Sequence, residues 1–509
     1  MSSQMQALKT RLGTIADLDG AAELAAWDQQ TKMPRNGGQA RAEMLATLAS
    51  LRHATFTGDE TGRLLESAAA ELNGAERDPD SDDARLVEVT RRRWEKSRRV
   101  PTELEAEIAR ASSEGQEAWV AARAASDFRS FAPYLERILE LTRRYVDCHL
   151  GHDRFGSAYD VLLDDYEPGI TTARVADLFS ELKGELAPMI ATLAQATPVD
   201  DAPLSARFAT DGQRALAREM VGLMGFDEQG WRLDDTVHPF AIRIGPGDVR
   251  ITTRWDETYW PMSLYGAMHE CGHGLYEAGI APELRRTPIG AVQSLGMHES
   301  QSRLWENMVG RGRAFCTVLA PRVSELAGGD LASIDADRLY RAINRVKPTY
   351  IRVEADEATY GLHIILRFEL EQDLIEGRLS IADLPEVWNA RVKDYLGIEV
   401  TDDADGVLQD VHWSAGMIGY FPTYALGNLI AGQLWEAAQA EIAGLDDLLA
   451  AGQLADLREW LRQRVHRHGA KFGTEELLER EGGGPISVAP FVRYLKAKLS
   501  DVYGVDLSD

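Results

Sequence analysis

The pattern that most constrains this chain is a helical periodicity that runs through most of its 509 residues and gives way to strand texture once. Residues 1–150 read as helix after helix, rich in Ala, Leu, Glu and Arg. Breaks such as Met33-Pro34-Arg35-Asn36-Gly37-Gly38 and the acidic Asp78-Pro79-Asp80-Ser81-Asp82-Asp83 separate them. Thr171 to Ala196 and Asp211 to Met224 predict two more helices with polar starts. Only residues 231–256 alternate β-branched and polar positions, around the turn Gly245-Pro246-Gly247, which predicts strand, turn and strand. Periodicity then returns to the C-terminal end, with Gly482-Gly483-Gly484-Pro485 as a late loop. No internal repeat or long linker divides the chain, so one mainly α body with a small antiparallel sheet in its middle is expected.

Charge narrows the partners. Against 55 basic residues stand 81 acidic ones, a net charge of −26, which argues against nucleic acid or an anionic membrane surface. The local basic run from Arg91 to Arg99 reads as a solvated helix face paired to neighbouring acids. Three cysteines, Cys148, Cys271 and Cys316, form no CxxC pair and predict a reducing compartment. No 18-residue apolar run suggests a membrane span, and no apolar leader of secretory type opens the sequence. A cytoplasmic protein is the expectation.

The chemistry begins at His269-Glu270-Cys271-Gly272-His273, an HExxH inside the helical stretch from Trp260 to Ala278. A spacing of four sets the two imidazoles about 40° apart on one helix face, able to meet one ion. Glu270 lies beside them, suited to act on an activated water. A catalytic zinc needs a third protein ligand and an open position. Glu299, in His298-Glu299-Ser300-Gln301-Ser302, is the natural candidate, although an acid there also suits a helix start. His298 competes for the same role, because neighbouring residues on a helix point 100° apart and only one of the two can serve.

Three further segments carry chemical side chains. Asp248, Arg250 and Thr252 share one face of a predicted strand that would offer an edge to an extended peptide, with an Asp248–Arg250 salt bridge as the structural alternative. Ile351-Arg352-Val353-Glu354-Ala355-Asp356 is read as the opening of a long helix. Arg352 there is either a helix ion pair with Asp356 or a fork for a substrate carboxylate. His412, in Gly406-Val407-Leu408-Gln409-Asp410-Val411-His412-Trp413, and Tyr420, in Gly419-Tyr420-Phe421, could donate to a tetrahedral oxyanion. Tyr424, four residues on, is the alternative to Tyr420.

Taken together, the HExxH, the HES-Gln segment, the DxRxT strand, the IRxxAD segment and the GxxQDxHW segment resemble the thermostable carboxypeptidase Taq family of metallocarboxypeptidases. The resemblance extends to Trp27-Asp28-Gln29-Gln30-Thr31 with Met33-Pro34, and to the segment from Tyr159 to Gly169. It implies an elongated helical body with a deep groove, a short sheet at its wall, and a homodimer. It also implies release of single residues from peptide C-termini with broad preference. On this reading 1–509 is one catalytic domain, with an N-terminal helical part over about 1–170 and a catalytic part over about 230–430. His269, His273 and Glu299 hold Zn2+, with Co2+ an alternative ion, and Glu270 is general base and then acid. His412 and Tyr420 stabilise the oxyanion, and Arg352, with Asp248, Arg250 and Thr252, binds the peptide end. The rival readings are an endo-oligopeptidase or peptidyl-dipeptidase on the same fold, and a non-catalytic peptide-binding scaffold.

Overall fold

A computed structural model describes residues 3–73, 78–152, 155–292 and 294–508. The chain is helical from its first described residues, with the helix Ser3–Thr31 leading, and 20 α-helices follow one another through the described residues. The expected helices are present as Thr172–Leu193 and Thr210–Met224, the first capped by the Thr171 side chain. The late loop at 482–485 separates the helices Thr474–Glu481 and Ala489–Tyr503.

The strand texture resolves into three strands, not two: β1 (Trp231–Asp235), β2 (Ala241–Gly245) and β3 (Asp248–Thr253). β2 and β3 form the expected antiparallel hairpin, while β1 pairs parallel to β3, so the sheet is mixed with the order β1-β3-β2. The central place of β3 overturns the expectation that its edge receives a peptide, because both its edges already carry ladder bonds. Val249 and Ile251 of β3 are fully buried and join the main core, which draws on residues from Ala122 to Leu507. A second apolar cluster ties Met5, Leu8 and Leu12 of the first helix to Ile280, Leu284 and Ile289. The last described residues of the chain therefore pack into the same core as the sheet.

The part of the fold that matters most for chemistry is a sandwich of three helices. The HExxH helix (Pro261–Gly279) lies on one side of the shorter helix Leu295–Arg303, and the helix Pro422–Glu441 lies on the other. Two glycines allow this spacing. A Cβ on Gly272 would fall 2.8 Å from the Gln301 carbonyl oxygen, and one on Gly427 would fall 2.6 Å from Glu299 Cγ. Any larger residue at either position would push the middle helix away. None of the described helices is long and apolar enough to cross a membrane.

Candidate metal centre and its surroundings

Both imidazoles of the HExxH emerge from one face of their helix, with ring centres 4.9 Å apart and nearly perpendicular planes. Opposite them stands Glu299, whose Oε2 is 3.6 Å from His269 Nε2 and 3.5 Å from His273 Nε2. Ligand bonds of 2.0–2.1 Å at tetrahedral angles would separate donor atoms by about 3.4 Å. These are also the one group of three or more His, Cys, Asp or Glu ligand atoms within 4.8 Å of one another among the described residues.

The outer hydrogen bonds decide which nitrogens face that space. His269 Nδ1 donates to Glu306 Oε2 at 2.8 Å, and His273 Nδ1 donates to the His298 carbonyl at 3.1 Å. A carboxylate and a carbonyl can only accept, so each Nδ1 holds the proton and each Nε2 turns a lone pair toward Glu299. This donor set, two imidazole lone pairs and a carboxylate oxygen, fits a borderline-soft divalent ion. Glu299 is held in turn by Arg303 Nε at 2.6 Å and Ser302 Oγ at 3.1 Å. Burial opposes its charge, yet the Arg303 guanidinium holds its pKa well below the usual carboxylate range. Burial likewise pushes His273 down to about 3, with His298 and His269 adding to the effect.

His298 is not placed as a ligand. It stacks on His273, ring centres 4.0 Å apart, and its Nε2 meets Glu277 Oε1 at 3.1 Å. The middle helix is anchored by Ser294, which caps Met297 N–H at 2.8 Å while donating to buried Glu167 at 2.7 Å. After Arg303 the chain makes a π-helical stretch, Leu304–Gly310, and this turn carries Glu306 under His269. Sequence reasoning missed both Arg303 and Glu306. Glu270, between the two histidines, is buried, and burial pushes its carboxyl up to about 7.

A second constellation adjoins the centre through the helix Pro422–Glu441, which packs on Glu299 at Gly427 and carries Tyr424 one turn earlier. His412 Nε2 meets the Tyr424 hydroxyl at 3.1 Å, and the His412 ring lies 5.4 Å from that of Tyr420. Burial pushes His412 down to about 4 and Tyr420 up to about 12, so at neutral pH His412 is uncharged and Tyr420 keeps its proton. Arg352 is buried and does not pair with Asp356. Its Nε and one terminal nitrogen donate to Asp410 at 3.1 and 2.8 Å, and the other terminal nitrogen donates to the Tyr360 hydroxyl at 2.9 Å. The helix-pair expectation fails because residues 352–354 form a single 3-10 turn and Ala355 is extended; the long helix starts only at Tyr360. Asp356 instead accepts from the backbone of Lys347, Ala358 and Thr359. Asp410 also takes Arg367, so two buried guanidinium groups share one carboxylate and the trio keeps a net positive charge.

The strand residues are spoken for locally. Asp248 and Arg250 form the two-pronged salt bridge, both bonds 2.8 Å, and the Arg250 guanidinium lies 4.1 Å from the Trp27 ring centre. Thr252 is buried, with its hydroxyl bonded to both backbone groups of Phe240. A cavity of about 1060 Å³ opens nearby between the first helix and the segment 284–295. Glu277, the partner of His298, lines it, whereas the His269–His273–Glu299 trio does not.

The comparisons with known proteins cover nearly the whole chain. The description of the carboxypeptidase Taq (M32) metallopeptidase family matches residues 7–499. The chain is 42% identical over 488 residues to thermostable carboxypeptidase 1 of Thermus thermophilus, covering 94% of this chain and 95% of that one. It is 36% identical to carboxypeptidase 1 of Bacillus subtilis, covering 97% of each. The crystal structure of the M32 carboxypeptidase of Deinococcus radiodurans R1 superposes with a TM-score of 0.95 at 37% identity, over 99% of this chain and 100% of that one.

Proposed function

This chain belongs to the carboxypeptidase Taq (M32) metallopeptidase family, an enzyme family that works on peptides with a divalent metal, and from that premise we propose that it is a zinc carboxypeptidase releasing single residues from free peptide C-termini with broad preference. The observation that carries the proposal is the pair of Nδ1 hydrogen bonds, which leave both Nε2 lone pairs aimed at Glu299 Oε2. His269, His273 and Glu299 would hold the ion. Zinc suits this mix of two imidazoles and one carboxylate, with Co2+ a substitute. A divalent ion held there supplies Lewis acidity to the attacking water and to the scissile carbonyl.

The chain's own residues do the rest. Glu270, whose carboxyl sits near neutrality through burial, accepts the water's proton and returns it to the leaving amine. His412 and the protonated phenol of Tyr420 donate to the oxyanion, and Tyr424, whose hydroxyl meets His412 Nε2, is the alternative to Tyr420. Arg352 recognises the terminal carboxylate. Its guanidinium keeps N–H groups beyond those spent on Asp410 and Tyr360, and the surplus positive charge of the Arg352–Arg367–Asp410 trio favours an anion. In this reading Asp248 and Arg250 serve the peptide end indirectly, as a fixed ion pair on the strand packed against the HExxH helix, and Thr252 braces the hairpin behind them.

We take the whole chain as one catalytic unit. The family resemblance supports a homodimer, and three cysteines without disulfides support a cytoplasmic setting. The variant Glu270→Gln tests the mechanism: it should keep stoichiometric metal and lose nearly all turnover, whereas near-normal turnover would refute the assignment.

A further inference from the structure

The segment from His412 to Tyr420 carries both side chains assigned above to the oxyanion, and it is irregular. It makes one 3-10 turn, Trp413–Ala415, and then passes through Gly416 and Gly419 at positive φ. Its internal backbone hydrogen bonds run from the N–H groups of Ala415 and Met417 to the His412 carbonyl, from Gly416 N–H to the Trp413 carbonyl and from Ile418 N–H to the Gly416 carbonyl, and none of them ties Gly419 or Tyr420. The two ends are joined instead by one side chain from another element. Glu371, fully buried on the helix Tyr360–Ile375, accepts the Trp413 indole N–H at 2.8 Å through Oε1. Through Oε2 it accepts the Gly419 backbone N–H at 2.9 Å and the Tyr159 hydroxyl at 2.6 Å. Trp413 and Gly419 immediately adjoin His412 and Tyr420. One turn earlier on the same helix, Arg367 donates to Asp410, two residues before His412.

We infer that Glu371 is a positioning residue of the active site: its single carboxylate clamps both ends of the 412–420 segment so that His412 and Tyr420 converge on one oxyanion. The inference rests on the role proposed for those two residues. A carboxylate is the fitting group because three donors, an indole, an amide and a phenol, meet it and none of its own atoms must donate. An amide at this place turns its NH2 toward one of those donors and releases one end of the segment. A misplacement of a few tenths of an ångström weakens both oxyanion bonds while leaving the metal ligands on their own helices untouched.

The test is Glu371→Gln in the metal-loaded, full-length enzyme, assayed on a short free peptide beside His412→Ala and Tyr420→Phe. The expected result is a fall in kcat of tenfold or more, with KM and metal content within twofold of wild type. In a His412→Ala background the same substitution should cost less than threefold further. Where Glu371→Gln does not fold, Trp413→Phe carries the same test, since it removes one donor to the clamp and keeps the ring. A folded variant with unchanged kcat, a kcat loss that repeats in full in the His412→Ala background, or a loss that tracks metal content overturns the inference. If His412→Ala and Tyr420→Phe themselves keep full kcat, the oxyanion reading fails and the clamp falls with it. If those two lose kcat and Glu371→Gln does not, the clamp alone falls.

Discussion

Replacing Glu306 should weaken metal binding without touching a ligand. Glu306 accepts the His269 Nδ1–H at 2.8 Å, takes Arg311 at 3.1 Å through its other oxygen, and lies 3.6 Å from Arg303, which grips Glu299. It therefore fixes the tautomer and orientation of one ligand and steadies the arginine that holds another. Burial opposes its charge, but the His269 hydrogen bond and the Arg303 and Arg311 guanidinium groups hold its pKa far below the usual range. Glu306→Gln keeps a neutral acceptor for His269 and loses the charge, which makes His269 a poorer base toward the ion. A loss of about tenfold in affinity, roughly 1.4 kcal/mol, is expected from such a partner. Glu306→Ala also frees the His269 ring to turn and leaves Arg303 and Arg311 short of a carboxylate, so about a hundredfold is expected. Competition against a fluorescent chelator, with helix content followed by circular dichroism, reads both numbers. Affinity equal to wild type in a folded Glu306→Ala variant would refute the reasoning.

Three other outcomes follow from the same geometry. His269→Ala and His273→Ala should each fold, because the core does not depend on the ion, and each should lack stoichiometric metal by elemental analysis; full occupancy in both would refute the ligand assignment. Arg352→Lys keeps a cation beside Asp410 but loses the planar fork, so KM for free peptides should rise by about tenfold or more while amidated peptides, poor from the start, change little; an equal effect on both would make Arg352 structural. Asp410→Asn leaves Arg352 and Arg367 buried without their carboxylate and should cost about 3 kcal/mol or more, read as a lower Tm at fixed heating rate. Because the two arginines depress the Asp410 pKa in the fold, its contribution is full above the ordinary carboxylate range and is lost as pH falls below it. The Tm gap between wild type and Asp410→Asn should therefore be full at pH 6–8 and begin to narrow only as pH falls below about 4, toward the depressed pKa of the folded state, and a gap that stays constant down to the lowest pH at which both fold would contradict the charge-pair account.

How much of this was legible in the sequence depended on whether the relation was local. The HExxH is local: once the segment is helical, a spacing of four fixes both imidazoles on one face, and the helix Pro261–Gly279 matches that reading. Glu299 could be named but not separated from His298, since only packing shows that His298 stacks on His273 while Glu299 faces both Nε2 atoms. Glu306 went unseen because the chain leaves the 3.6-residue period after Arg303 and enters a π-helical stretch, whereas Arg303, four residues after Glu299 on one regular helix, is a local pair that the spacing offered. Of the two readings of Arg352, the ion pair with Asp356 needs a helix that is absent there; its partner, Asp410, is 58 residues away. The hairpin of β2 and β3 was visible as alternation around a glycine turn, whereas the parallel pairing of β1 depends on a crossover that no short window contains. The basic run read as a helix face paired to neighbouring acids does pair: Arg91 meets Glu66, and Arg92 and Lys96 reach Asp164.

The central claim is that this metal centre removes residues one at a time from a free chain end. Time-resolved mass spectrometry of one short peptide, offered with a free or an amidated C-terminus and with or without a chelator, measures it directly. The account predicts a ladder of products each one residue shorter, from the free peptide only, abolished by the chelator and restored by Zn2+ or Co2+. Dipeptide steps, internal fragments, or equal cleavage of the amidated peptide would contradict it.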